Sequence, residues 1–331
     1  MLTITDFILP DKKAYAFRVF IAVLFILNIA CESKKVKESK DADLIQKDPV
    51  ITIVTNSMDF QCPDTIPSGW NTFLYDNRSN ETHFFLFDQY PEGKTILDTE
   101  KEILPVFQKG MNLITEGNSE DGFAAFNMLP EWFFNVVFVG GSGLVSPRSS
   151  TLTTIKLDPG YYVLECYVKM PDGTFHGTMG MAKEIIVSVE NSGLQPPLAQ
   201  VKIDISSTEG IVFTDSISSG KQVFSVHFKD QITHENFVGH DVNLVKYDES
   251  ANLEVLESWL NWADPRGLIS PAPDGFVFLG GVNDMPTGST GYFEAELDPG
   301  NYAFVSEVPG SIKKNLFKTF VIANESGLTL T

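Results

Sequence analysis

Leu157-Asp158-Pro159-Gly160 leads into Tyr161-Tyr162-Val163-Leu164-Glu165-Cys166, and Leu297-Asp298-Pro299-Gly300 leads into Asn301-Tyr302-Ala303-Phe304-Val305-Ser306. The two stretches lie 140 residues apart. Phe138-Val139-Gly140-Gly141 and Phe278-Leu279-Gly280-Gly281 share that offset. Upstream, Gly69-Trp70-Asn71-Thr72-Phe73 matches Gly220-Lys221-Gln222-Val223-Phe224, with Ile66 and Ile217 the same distance ahead. Ser192-Gly193-Leu194 matches Ser326-Gly327-Leu328, where the offset has fallen to 134. The chain therefore repeats one structural unit, and the second copy has lost six residues after its L-D-P-G turn.

Each copy reads mainly as β. Ile51-Thr52-Ile53-Val54 alternates, and Phe84 to Phe87 and Phe133 to Val139 are apolar runs of strand length. Tyr161 to Tyr167 and Ile185 to Val189 are further strands. In L-D-P-G, Pro fixes φ and Gly permits a positive φ, so the motif is a turn. Short strands separated by Gly, Pro and Asp turns indicate a sandwich. One helix per copy follows the third strand. Ile96, Ile103, Leu104 and Phe107 mark it in the first copy, with Pro105 expected to bend or end it. Leu253, Leu256, Leu260 and Trp262 mark it in the second. Asn191 to Ala199, with Pro196-Pro197, is a short stiff linker. The expected fold is all-β, two tandem Greek-key β-sandwich domains at 49–191 and 200–331.

The N-terminus reads as a signal for export. Lys12, Lys13 and Arg18 precede the uncharged run Val19 to Ala30, too short for an ordinary membrane span. Ala30-Cys31, with Leu27 and Asn28 ahead, resembles a bacterial lipobox. That resemblance implies that residues 1–30 are a lipoprotein signal peptide, that Cys31 carries lipid, and that the mature chain is anchored to the bacterial cell envelope, on the periplasmic face or the cell surface. Residues 31–48 are charged, almost free of aromatics, and read as a flexible tether. The formal net charge is −19, and −20 without residues 1–30. Such a surface disfavours nucleic acid as a partner.

One constellation could carry chemistry. Cys166 is followed by His176 and Met181, and His83 lies upstream in Thr82-His83-Phe84. This order resembles the cupredoxin family, whose copper site uses two His, one Cys and a weak axial Met. The resemblance implies one copper ion in the first copy, held by His83, Cys166, His176 and Met181, and electron transfer with a protein redox or envelope partner. Nine residues separate Cys166 from His176, and Pro171-Asp172-Gly173 can fold the excess into a turn. Met179 is a competing axial candidate. A disulfide between Cys62 and Cys166 is the alternative use of those thiols in an oxidising compartment. In the second copy His240 corresponds to His83 and Ser306 to Cys166, and the counterpart of the His176 segment is missing. The alternative function is a metal-free binding or scaffold lipoprotein using both sandwiches. Five histidines are too few for a trinuclear copper cluster, and no G-x-S-x-G, H-E-x-x-H or phosphate-binding glycine loop is present, so no enzyme is expected.

Overall fold

The computed structural model describes residues 49–213 and 216–324. The signal peptide, the tether, Cys31 and Ser326-Gly327-Leu328 lie outside the described residues. In the first repeat the chain forms β1 (Val50–Thr55), β2 (Thr65–Asn77), β3 (Leu86–Gln89), α1 (Ile96–Asp98), α2 (Leu104–Thr115), α3 (Ser119–Ala125), β4 (Val137–Gly141), β5 (Ser149–Leu157), β6 (Gly160–Glu165) and β7 (Ala182–Asn191). The second gives β8 (Val201–Ser206), β9 (Gly210–Phe213), β10 (Gly220–Phe228), β11 (Val242–Tyr247), α4 (Leu253–Leu260), β12 (Phe276–Val282), β13 (Thr290–Leu297), β14 (Gly300–Val305) and β15 (Phe317–Ile322). The structure is thus β-rich, built from sandwiches with short helices.

Within the first repeat β4-β3-β6-β7 forms one layer, and β1, β2 and β5 form the other. Strand β2 belongs to both layers. Its start pairs in parallel with β7, the register shifts between Pro67 and Ser68, and its remainder pairs antiparallel with β5. Phe73 and Tyr75 alternate inward along it, as the two-residue period of a strand requires. The second repeat uses β12-β11-β14-β15 and β9-β8-β10-β13 in the same way.

The repeats are not beads on a linker. Strand β5 pairs with β13 through Thr154–Tyr292, Thr153–Phe293 and Leu152–Glu294, so one sheet runs through both copies. Their side chains share one buried cluster, and the two copies form one compact unit.

The repeated motifs have physical roles. In the Gly-Gly pairs, Gly140 and Gly280 take positive φ, +97° and +96°. A Cβ on Gly141 would collide with the Phe85 carbonyl, and one on Gly281 with that of Val242. The second glycine therefore lets the crossing strand come close. After L-D-P-G, the Tyr162 hydroxyl donates to the Asp158 carbonyl at 2.8 Å, and Tyr302 to Asp298 at 2.7 Å. These buried tyrosines pin each turn to its strand. Gly160 does not use the positive φ open to it.

Three element assignments differ from the sequence reading. Glu131–Asn135 is a 3-10 turn, and the strand begins only at Val137. Pro130, just before that turn, presets its entry. Pro105 does not end a helix. It sits in the first turn of α2, directly after a π-turn at Thr99–Ile103 that joins α1 to α2 and accommodates its missing N–H. The first repeat therefore carries a longer helical insertion than the single helix expected, with α3 packed after it; Gly110 and Gly122 allow that close contact. Trp262 lies beyond the end of α4 rather than on it.

Candidate metal centre

Cys166 is the first residue after β6, and its N–H donates to the Met181 carbonyl at 3.1 Å. His83 precedes β3 and is fixed by a two-way backbone pairing with Val145, at 3.2 and 2.7 Å. Asn77 holds that crossing from the other side, its amide donating to the carbonyls of Val145 and Ser146. His176 opens a 3-10 turn, His176–Met179, and its N–H donates to the Val168 carbonyl. The nine-residue excursion between Cys166 and His176 folds as a small hairpin. Lys169 bridges Phe175, Met170 and Thr174 pair, and Gly173 turns with φ +86°. The Pro-Asp-Gly turn expected there is present.

These elements bring His83, Cys166 and His176 together, all fully buried. The two Nδ1 atoms are 3.1 Å apart, and Cys166 Sγ lies 3.7 Å from His83 Nδ1 and 4.0 Å from His176 Nδ1. One nitrogen of each imidazole and the sulfur lie within 4.8 Å of one another, the one such group of three or more His, Cys, Asp or Glu among the described residues. Met181 is fully buried beside them. Its N–H donates to the His176 carbonyl, and its carbonyl accepts from Cys166. Met179 is 44% exposed, whereas Met181 is fully buried. Cys62 and Cys166 are free thiols, so the disulfide alternative is not what the structure shows.

The electrostatics suit a soft cation. Burial pushes the Cys166 thiol up to about 12, although backbone N–H groups of Phe84 and Val168 donate to the sulfur and favour the thiolate. Burial pulls His83 down to about 4, against the pull of Asp59. It pulls His176 down to about 3, with His83 adding to the effect. At neutral pH both imidazoles are therefore neutral and carry a lone pair. Two Nδ1 atoms at hydrogen-bond distance need a proton or a metal cation between them. The outer Nε2 atoms of both rings are buried with no hydrogen-bond partner, so no polar contact fixes the Nδ1 atoms as N–H donors. Two imidazoles and one sulfur form the donor set that copper takes in trigonal His2Cys sites. The residues present fit that ion.

The second repeat lacks such a set. Strand registers align Leu86 with Asn243 and Glu165 with Val305, so His240 stands where His83 does and Ser306 where Cys166 does. Ser306 donates to the buried Asp241 at 2.6 Å. His240 instead faces His234, Nε2 to Nε2 at 2.9 Å, a pairing that sequence spacing alone did not reveal.

Sequence reasoning also missed what braces the ligand hairpin. Lys169 is fully buried, and its ammonium donates to the carbonyls of Trp262 and Asp264 at 2.5 and 2.9 Å. Burial lowers it to about 7. Its backbone pairs with Leu268 and Ser270, and Trp262 packs on Phe175 at 5.9 Å. The hairpin carrying His176 is thus clamped by the second repeat. A lysine in a hairpin reads as a surface residue, and nothing local in the sequence signals its burial.

No family profile matches the chain, and no curated protein matches it. Among solved structures, auracyanin from Roseiflexus castenholzii aligns at 18% identity over 41% of this chain and 94% of its own, with a TM-score of 0.25. Auracyanin A, a blue copper protein of Chloroflexus aurantiacus, aligns at 17% identity over 42% of this chain and 98% of its own, with a TM-score of 0.26. Copper nitrite reductase from Nitrosomonas europaea aligns at 12% identity over 83% of this chain and 93% of its own, with a TM-score of 0.22. At these TM-scores none of the three bears on what this chain binds.

Proposed function

We propose that this chain is an exported, lipid-anchored copper protein that transfers electrons through its first repeat. The observation that carries the reading is the convergence of His83 Nδ1, His176 Nδ1 and Cys166 Sγ at a buried point. Copper bound there would supply a one-electron couple. His83 and His176 would hold it as neutral imidazoles, Cys166 as a thiolate after losing its proton, and Met181 would be the fourth, weak ligand. Full burial of the three ligands keeps them from the protein surface, and the clamp on the hairpin would restrain their movement between oxidation states. Such a site would store and pass an electron. The second repeat serves as the clamp. The basic n-region, the apolar run and Cys31 support attachment to the envelope through lipid, with a redox partner there.

Adding Cu(II) to the full-length protein tests the reading. An intense visible thiolate-to-copper band at one copper per chain is expected, absent in Cys166→Ser. Lack of that band in the unaltered, folded protein contradicts it. Mass spectrometry of the protein from a bacterial membrane fraction tests the anchor, which is wrong if Cys31 carries no lipid.

A further inference from the structure

His234 and His240 meet in the second repeat, Nε2 to Nε2 at 2.9 Å, and the copper centre of the first repeat does not involve them. His240 is fully buried two residues ahead of β11, at the place His83 holds in the first repeat. His234 is half-buried and opens the short turn Glu235–Phe237. Burial lowers both imidazoles below the ordinary histidine value, with His240 adding to the effect on His234, so both are neutral at pH 7.

The tautomer of His240 is fixed by its surroundings. Its Nδ1 lies 3.2 Å from the Asp230 carbonyl and 3.5 Å from the Asp230 carboxylate, both acceptors, so the ring proton sits on Nδ1. Its Nε2 therefore presents a lone pair to His234. An imidazole whose one N–H is held by a carbonyl or carboxylate, leaving the other nitrogen as a donor of electrons, is the arrangement that metal-ligating histidines adopt. No second hydrogen bond among the described residues fixes the tautomer of His234. Its Nε2 can turn a proton or another lone pair toward His240.

The loop between the two histidines is held in a strained form. Asn236 and Phe237 both take φ of +62°, in the left-handed region that a bulky residue such as Phe rarely enters. Such strain persists where the surroundings over-determine it, and it gathers at ligand clamps. Here the His234 N–H donates to the Val238 carbonyl at 2.8 Å, Trp262 Nε1 to the Asn236 carbonyl at 2.9 Å, and Lys314 to Glu235 at 2.6 Å. The Gln231 side chain accepts from the His240 N–H and donates to the His240 carbonyl. These contacts hold both rings in place before any ion arrives.

The separation of the rings selects the kind of ion. Two metal–nitrogen bonds of about 2.0 Å place their nitrogens about 2.9 Å apart at a right angle and about 3.3 Å apart at a tetrahedral angle. The 2.9 Å found here is the right-angle value, which belongs to square-planar or tetragonal ions. Among the divalent first-row ions, copper binds nitrogen donors most tightly. We propose that His234 and His240 bind a second ion, Cu(II), through their Nε2 atoms, with water at its remaining positions. The site is independent of His83, Cys166 and His176. That set offers three donors, one of them a thiolate, and fills first.

Titrating the full-length protein with Cu(II) to two equivalents, followed by electron paramagnetic resonance, tests this. The second equivalent is expected to give an axial signal with wide copper hyperfine splitting and spin-echo modulation from two imidazoles. That measurement uses the unaltered protein and stands whether or not a variant folds. His234→Ala, a change at a half-buried loop position, is expected to lose the signal and to keep the visible thiolate-to-copper band of the first ion. A His234-dependent signal in a protein without that band supports this site while removing the copper reading of the first repeat. No second ion bound in the unaltered protein, modulation from fewer than two imidazoles, or a signal undiminished in folded His234→Ala overturns the proposal and leaves the pair as a hydrogen bond.

Discussion

Cys166 and Ser306 occupy one place in two copies of the same unit and meet opposite chemistry. Cys166 Sγ faces two imidazole nitrogens, whereas Ser306 Oγ is engaged by a buried aspartate. That difference was legible in the sequence, because the repeat gives each residue an internal control. The spacing of His83, Cys166, His176 and Met181 was legible too. The choice of Met181 over Met179 was not, since the two differ by burial and not by type. The account predicts that Met181→Leu shifts the reduction potential of the copper-loaded protein upward, as loss of an axial thioether does, while Met179→Leu leaves it unchanged. Equal effects in a voltammetric comparison would refute the assignment of Met181 as the fourth ligand.

At the scale of elements, the hairpin between Cys166 and His176 decides whether the site is rigid. Its turn was legible from Pro171-Asp172-Gly173. Its brace was not, because Lys169 and Trp262 are 93 residues apart and meet only in the folded chain. Trp262→Ala removes aromatic packing on Phe107, Phe126 and Phe175. The expected loss of stability is about 3–5 kcal/mol, read by urea denaturation. Lys169→Ala leaves the carbonyls of Trp262 and Asp264 without their donor and is expected to cost about 1–3 kcal/mol in the same assay. A loss within error of zero for Trp262→Ala would mean that the second repeat does not clamp the hairpin. The helical insertion was the least legible element. Pro105 reads as a bend or an end of the helix; the helix continues past it, but through a π-turn directly ahead of it.

For the whole molecule, the tandem organisation was legible from the two L-D-P-G and Gly-Gly motifs. The continuous sheet through β5 and β13 was not, because edge pairing between repeats leaves no periodic mark in sequence. That fusion buries acids from both copies. Burial holds Asp88, Asp284 and Glu307 well above, and Asp241 up to about 7, against ordinary carboxylate values near 4. Above pH 6.5 the unfolded chain has lost these protons while the folded chain still holds them. The folded state binds more protons, so stability falls as pH rises. Lys169 acts in the opposite sense, since its folded value of about 7 lies below 10.5. Five raised carboxyls, Glu165 at about 7 among them, outweigh Lys169 and the histidines His83 and His176, whose folded values of about 4 and 3 also favour the fold as pH rises, so the melting temperature of the metal-free protein is expected to drop from about pH 7 to pH 8. A rise across that window would show that the buried acids ionise freely in the fold. The copper centre itself is tested most directly by X-ray absorption at the copper edge of the loaded protein. The account predicts one short sulfur scatterer and two imidazole nitrogens, with the sulfur lost in Cys166→Ser. A shell of oxygen and nitrogen alone in the unaltered protein would contradict it.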